Sequence, residues 1–111
     1  MQEILFIDII KIVGDNMKEK IYTYNEINYK LVINYKDAFD NAIVLEKVTD
    51  YFNEYDYIVG DWSYGSLRLK GFCKKENKLF NKINNYDKLD EYLKNNCAYG
   101  CKYFVLEKVV A

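Results

Sequence analysis

Histidine and proline are both missing from this 111-residue chain, and arginine occurs once. Without an imidazole there is no Ser-His-Asp or Cys-His catalysis, no histidine-ligated zinc and no side chain that switches charge near neutrality. Glycine is scarce. Gly14, Gly60, Gly65, Gly71 and Gly100 are scattered at turn or strand positions, and none opens a helix as a phosphate-binding loop does. Long apolar runs are also lacking, since "ILFIDIIKIV" is broken by Asp8 and Lys11 and is about half as long as a spanning helix needs. No membrane contact is expected, and no cofactor. Three cysteines, an odd number, argue against a secreted disulfide framework and fit a reducing, cytoplasmic setting.

What is present fits one modest core. Half of the residues are apolar and the formal net charge is −1, so a single soluble domain is expected. "KIYTYNEINYKLVINY" places β-branched and aromatic residues on both sides of Asn25 and Glu26, which predicts a hairpin with strands near Ile21 to Tyr24 and Ile27 to Asn34. Asp37 is placed to cap the next helix, on which Phe39, Ala42 and Ile43 share a face; Leu45, Val48, Phe52 and Tyr55 continue a second stripe, with a break expected at Ile43 and Val44. "CKKENKLFNKINN" reads as an irregular polar loop. In "DKLDEYLKNNCAYG" Asp87 is placed to cap, Leu89, Tyr92, Leu93 and Cys97 form the apolar stripe, and Gly100 marks the stop. "CKYFVLEKV" predicts a strand apolar enough for the sheet interior. The order of elements implies an α+β domain, with a mainly antiparallel sheet and helices packed on one face.

The most distinctive stretch is "DYIVGDWSYGSLRLKGF", Asp56 to Phe72, a second hairpin turning at Tyr64-Gly65. Because glycine accepts a positive φ and tyrosine does so poorly, a type II turn or a type I turn with a glycine bulge is expected. A two-residue loop pairs Ser63 with Ser66, Trp62 with Leu67, Asp61 with Arg68 and Gly60 with Leu69. Ile58, Trp62, Leu67 and Leu69 then share one face, and Asp61, Arg68 and Lys70 the other. A three-residue loop would put a carboxylate among leucines. Gly60 and Gly71 would let a helix approach the apolar face closely.

Arg68, alone among fifteen lysines, forms with Asp61 the obvious charged cross-strand pair. Such pairs are usually exposed salt bridges worth under about 1 kcal/mol, but the planar guanidinium also suits a ligand or partner. Asp61, Trp62, Tyr64, Arg68 and Lys70 are therefore the candidate binding residues. Lys74, Lys75 and Lys78, with Lys82 after them, extend the positive charge offset only by Glu76, whereas Asp37 to Asp61 holds seven acidic residues and one lysine. With Trp62, Tyr64, Phe72 and Phe80 nearby, the basic side suits RNA through phosphate contact and stacking; the commoner role of such lysines is solvated surface.

"YDYIVGDWSYGSLRLKGF" followed by "LDEYLKNNCAYGCKYFVL" resembles the YutD-like family of low-GC Gram-positive bacteria, over about Tyr29 to Leu106. The resemblance rests on Asp61, Trp62, Gly65, Leu67, Arg68, Lys70, Gly71 and Phe72, and then on Cys97, Gly100 and Cys101. It implies a single cytosolic domain, brings no established activity, cofactor or catalytic residue, and leaves lysines 74 to 78 in a variable stretch. Cys97 and Cys101 stand as C-x3-C, and zinc would need two further ligands from Cys73 and carboxylates. Buried packing is the expected role, with no metal site.

The function expected is that of a small binding or regulatory module, contacting RNA, a ribonucleoprotein or a protein through Asp56 to Phe72 and the adjacent basic loop. The alternative is a thiol- or carboxylate-dependent enzyme using Asp61, Cys97 and Cys101. Residues 1–16 lie outside the resemblance, and "VGDNM" back-translates with AT-rich codons to GTA GGA GAT AAT ATG, which places GGAG just ahead of an ATG. Met17 is therefore expected as the initiator, with residues 1–16 an upstream extension and 17–111 the domain.

Overall fold

The structure, a computed structural model, describes residues 20–96 and 100–110. The expected extension at 1–16, the start at Met17 and the role of Cys97 lie outside the described residues. Strand β1 (Ile21–Tyr24) pairs with β2 (Ile27–Tyr35) around Asn25 and Glu26, whose φ values of 53° and 68° make the type I′ turn that matches strand twist. The expected first hairpin is present.

Helix α1 (Asn41–Lys47) begins later than expected. Lys36 and Asp37 both take positive φ, 58° and 56°, to swing the chain out of β2. The capping carboxylate is therefore Asp40, which accepts from the backbone N–H of Ala42 and Ile43 at 3.1 and 3.4 Å. α1 runs through Ile43 and Val44 and stops only where Val48 turns extended, so no break falls at the β-branched pair. A 3-10 turn at Asp50–Phe52 follows, then β3 (Tyr57–Ser63) and β4 (Ser66–Phe72). A second 3-10 turn, Tyr86–Lys88, runs into α2 (Leu89–Asn96), and β5 (Tyr103–Lys108) closes the chain. Here too the cap differs from expectation: Asn85 accepts from the Asp87 N–H at 3.0 Å, and Asp87 sits within the turn.

The five strands of the described residues form one sheet in the order β1-β2-β5-β3-β4, with each of their pairings antiparallel. The α+β class and antiparallel sheet are as expected, and β5 lies inside the sheet. The helices, expected on one face, are divided between two. Val44, Val48 and Phe52 pack with Ile58, Leu67, Phe104 and Leu106 on one side, while Leu89, Tyr92 and Leu93 pack with Tyr57, Val59, Phe72 and Val105 on the other. The cause lies in β3 and β5, whose successive residues Tyr57 to Asp61 and Phe104 to Leu106 are all buried, so both faces need cover. A register shift between Leu31 and Ile33 serves the same end: Leu31 packs on the α1 side, and Val32 and Ile33 both pack on the α2 side.

Two rings, rather than a helix, occupy the spaces over the β3–β4 glycines. A methyl group at Gly60 would lie 2.2 Å from Cζ of Phe104, and one at Gly71 would lie 2.4 Å from Cγ of Tyr55. Phe104 is fully buried and cannot swing away freely. We therefore expect Gly60→Ala to destabilise the fold by about 1–3 kcal/mol in denaturant unfolding, and Phe104→Leu in the same chain to return part of that loss.

Burial, followed by the neighbouring charge of Glu107, pushes the Tyr57 phenol up to about 12, and burial raises Tyr29 and Tyr86 as well. These groups hold their protons more tightly in the folded chain than in the unfolded one. Their contribution to stability should be complete below about pH 10 and lost as pH rises towards about 12. Unfolding free energies measured across that window, beside phenolate absorbance, should fall with pH; a flat profile would contradict the burial.

Candidate functional site

The second hairpin has the two-residue loop and the register read from its sequence: Ser63 faces Ser66, Trp62 faces Leu67, Asp61 faces Arg68 and Gly60 faces Leu69. Its turn type differs from expectation. Tyr64 and Gly65 both have positive φ, 53° and 76°, which is a type I′ turn. That turn matches the strand twist directly, at the expense of placing a tyrosine where Asn, Asp or Gly normally sits. Tyr64 is fully exposed there.

Asp61 and Arg68 are paired, but not as an exposed bridge. Arg68 donates from Nε and Nη2 to the same carboxylate oxygen, Oδ1, at 2.9 and 2.7 Å, and the Asp61 side chain is only 1% exposed against 45% for Arg68. The burial comes from α2, whose Tyr92 hydroxyl donates to Oδ2 at 3.4 Å. Arg68 Nη2 also donates to the carbonyl of Asn96 at 2.6 Å. Asn96 lies seven residues into α2 from Leu89, so the guanidinium ties β4 to a backbone carbonyl of the helix. The carboxylate in turn raises the pKa of the guanidinium, which stays charged.

Lys70 stands on the same face of β4 as Arg68, two residues along. Its ammonium lies 5.5 Å from the Phe72 ring centre and 5.7 Å from that of Tyr92, and those rings meet edge to face at 5.3 Å. Beside them runs an open groove of about 180 Å³ whose lining includes Phe72, Lys82, Ile83, Tyr92, Asn95 and Asn96. Arg68, Lys70 and the groove therefore form one surface between β4 and α2.

The other candidates are placed elsewhere. Trp62 lies on the α1 side, its indole N–H donating to the Ala38 carbonyl at 2.8 Å and its ring under Lys102 at 5.1 Å. Lys74 is 3.7 Å from Glu107 and, with Lys75, lines a separate hollow beside Tyr57 and Tyr86. Lys78 is exposed in the loop and lines neither space. That loop is ordered by asparagines: Asn84 donates to the Leu79 carbonyl at 2.9 Å, and Asn77 ties Glu54 to Asp56. Cys73 is free, fully buried and pushed up in pKa by burial. Cys101 is disulfide-bonded at a half-buried position, so the buried packing expected of it does not hold. Tyr92 and Asn96 were not among the sequence candidates, and Lys82 was legible only as the last lysine of the basic run. Tyr92 was legible only as part of an apolar stripe, and nothing in the sequence signals Asn96.

Removing the guanidinium would leave a buried carboxylate with one long hydrogen bond and take away a donor to the Asn96 carbonyl. Because Arg68 is nearly half exposed and water can follow the deletion, the cost should be about 2 kcal/mol, above that of a surface pair and below that of a sealed one. Arg68→Ala should show this loss in denaturant unfolding, and Arg68→Lys most of it, since an ammonium lacks the fork that reaches both Asp61 and Asn96.

The family model described as "Putative antitoxin YutD-like" matches residues 23–107. The Bacillus subtilis (strain 168) protein named "Putative antitoxin YutD" is 44% identical over 81 residues, spanning 73% of this chain and 89% of that protein. The solution NMR structure of the B. subtilis protein yutD has a TM-score of 0.69 at 38% identity, covering 87% of this chain and 88% of that one. With matching sequence over most of its length and the same arrangement of strands and helices, the chain belongs to the YutD-like family.

Proposed function

We propose that this protein is a cytoplasmic, non-catalytic binding module whose contact surface runs from Tyr64 at the hairpin tip along Arg68 and Lys70. Tyr64 carries the reading. Among the described residues with positive φ it is the one aromatic, and it is fully exposed. A bulky residue in the left-handed region costs about 1–2 kcal/mol, and this one recovers nothing by burial. Strain without a folding return points to contact outside the chain, and tyrosine is among the residues that anchor interfaces.

The chemistry of the remaining groups supports binding over catalysis. Of the groups in the enzymatic alternative, Asp61 is out of reach of a substrate beneath Arg68 and Cys101 is held in a disulfide rather than as a thiol; the Cys73 thiol, for its part, is buried with a raised pKa, which disfavours the thiolate. The word "antitoxin" in the relative's name describes action upon another molecule, which suits a surface rather than a cleft. A protein partner fits best, because Lys74, Lys75 and Lys78, the nucleic-acid candidates, lie apart from this surface.

The test is a Tyr64→Asn variant. Asparagine suits the turn, so stability should be unchanged or higher by up to about 1 kcal/mol, while capture of the native partner from nuclease-treated lysate should fall. Capture at parental level by the variant would overturn the reading. Capture that vanishes for the parent itself on nuclease treatment would transfer the role to nucleic acid.

A further inference from the structure

We propose that the groove between β4 and α2 receives an acidic, extended peptide segment of the partner, an apolar side chain entering between Phe72, Ile83 and Tyr92 while flanking carboxylates meet Lys70 and Lys82. This deepens the reading of the hairpin face as a contact surface and rests on it. Charge complementarity identifies the occupant. Four cations lie in or beside the groove: Lys82 and Lys88 line it together with Glu91, while Arg68 stands next to it through its bond to Asn96 and Lys70 over the Phe72 and Tyr92 rings. Two are already matched, Arg68 by Asp61 and Lys88 by Glu91 at 3.5 Å. Lys70 and Lys82 have no carboxylate partner among the described residues, and Lys70 rests over two aromatic rings. Two unmatched lysines flanking Tyr92 and the exposed Ile83, with Phe72 buried beneath, suit carboxylates beside an apolar residue.

Other details favour a peptide over a nucleic acid strand. The groove measures about 180 Å³, and Ile83 in its wall is 73% exposed, so apolar surface is open to a side chain. Asn95 adds a side-chain amide, with donor and acceptor, of the kind that pairs with a peptide backbone, while Asn96 Nδ2 already donates to the Tyr92 carbonyl at 3.0 Å. RNA needs a continuing run of cations to follow its phosphates. Here the run stops, since Lys74 is tied to Glu107 and Lys75 lines the separate hollow by Tyr57.

The experiment titrates the isotope-labelled full chain with a short peptide alternating glutamate and leucine, following backbone amide shifts. Parallel titrations use the glutamine–leucine peptide and a uridine oligonucleotide. Shifts should gather at Lys70, Phe72, Tyr92, Asn95 and Asn96, and the glutamine peptide should bind much more weakly. Lys70→Gln and Lys82→Gln should each weaken binding by up to about fivefold, as expected for a rim ion pair. Both lysines are at the surface, so the variants should fold, and an unchanged spectrum outside the groove verifies it. Equal binding of the glutamine peptide, shifts centred elsewhere, equal response to the oligonucleotide, or no shifts at all would each overturn the groove assignment. The broader reading fails separately, through Tyr64→Asn: partner capture lost there but unaffected by Lys70→Gln and Lys82→Gln would keep the contact surface and discard the acidic peptide.

Discussion

Asp61 is a carboxylate in the interior of a five-stranded sheet, and three elements depend on how it is held. It sits on β3, and its neighbours across the ladder are Arg68 on β4 and Tyr103 on β5. A charge so enclosed is costly unless it is matched in place, and Arg68 matches it with two donors converging on one oxygen. The same guanidinium reaches the Asn96 carbonyl of α2. One side chain therefore satisfies the buried charge and ties the edge strand to the helix. Tyr92 completes the enclosure from the helix side, packing its ring on Phe72 while its hydroxyl meets the carboxylate.

The strands were legible in the sequence because their information is local. Alternation around Asn25-Glu26 and Tyr64-Gly65 gave both hairpins, and the cost of a carboxylate among leucines selected the register of the second. What escaped was set by distant partners. Asp61 and Arg68 stand opposite one another in any two-residue hairpin, but whether the pair is exposed depends on α2, which is remote in sequence and supplies Tyr92 and Asn96. Both α2 and the α1 segment were recognisable as amphipathic; which face of the sheet each covers was not, because that follows from the two-sided burial of β3 and β5. The cap of α1 moved from Asp37 to Asp40 for a backbone reason, the positive φ pair at Lys36 and Asp37. The loop after β4 looked shapeless by periodicity, yet Asn77, Asn81 and Asn84 fold it through side-chain to backbone bonds, a chemistry that periodicity does not register.

The candidate site was legible in part for the same reason. Arg68 and Lys70 were found on one face by strand alternation, and Tyr64 at the tip by the turn. Trp62 was grouped with them by proximity in sequence, but alternation sends it to the opposite face, where its indole N–H is already used by Ala38. The basic loop was grouped by charge alone, and its lysines divide among an ion pair, a separate hollow and open solvent. Charge counted along a sequence does not say which cations share a surface; strand register does.

Rigidity joins the buried pair to the proposed contact. Ordering a loop or a long side chain on binding costs free energy that a pre-set element has already lost on folding. The β3–β4 hairpin is held on one side by the ladder to β5 and on the other by the Arg68 link to Asn96, so its turn projects from a fixed base. A type I′ turn is itself the geometry that two twisted strands favour, which leaves Tyr64 little backbone freedom despite its exposure. The pair that looks like a binding feature in the sequence therefore acts mainly as a latch. The residue that gains from the latch is Tyr64, the one aromatic among the described residues that the fold holds at positive φ and leaves in water.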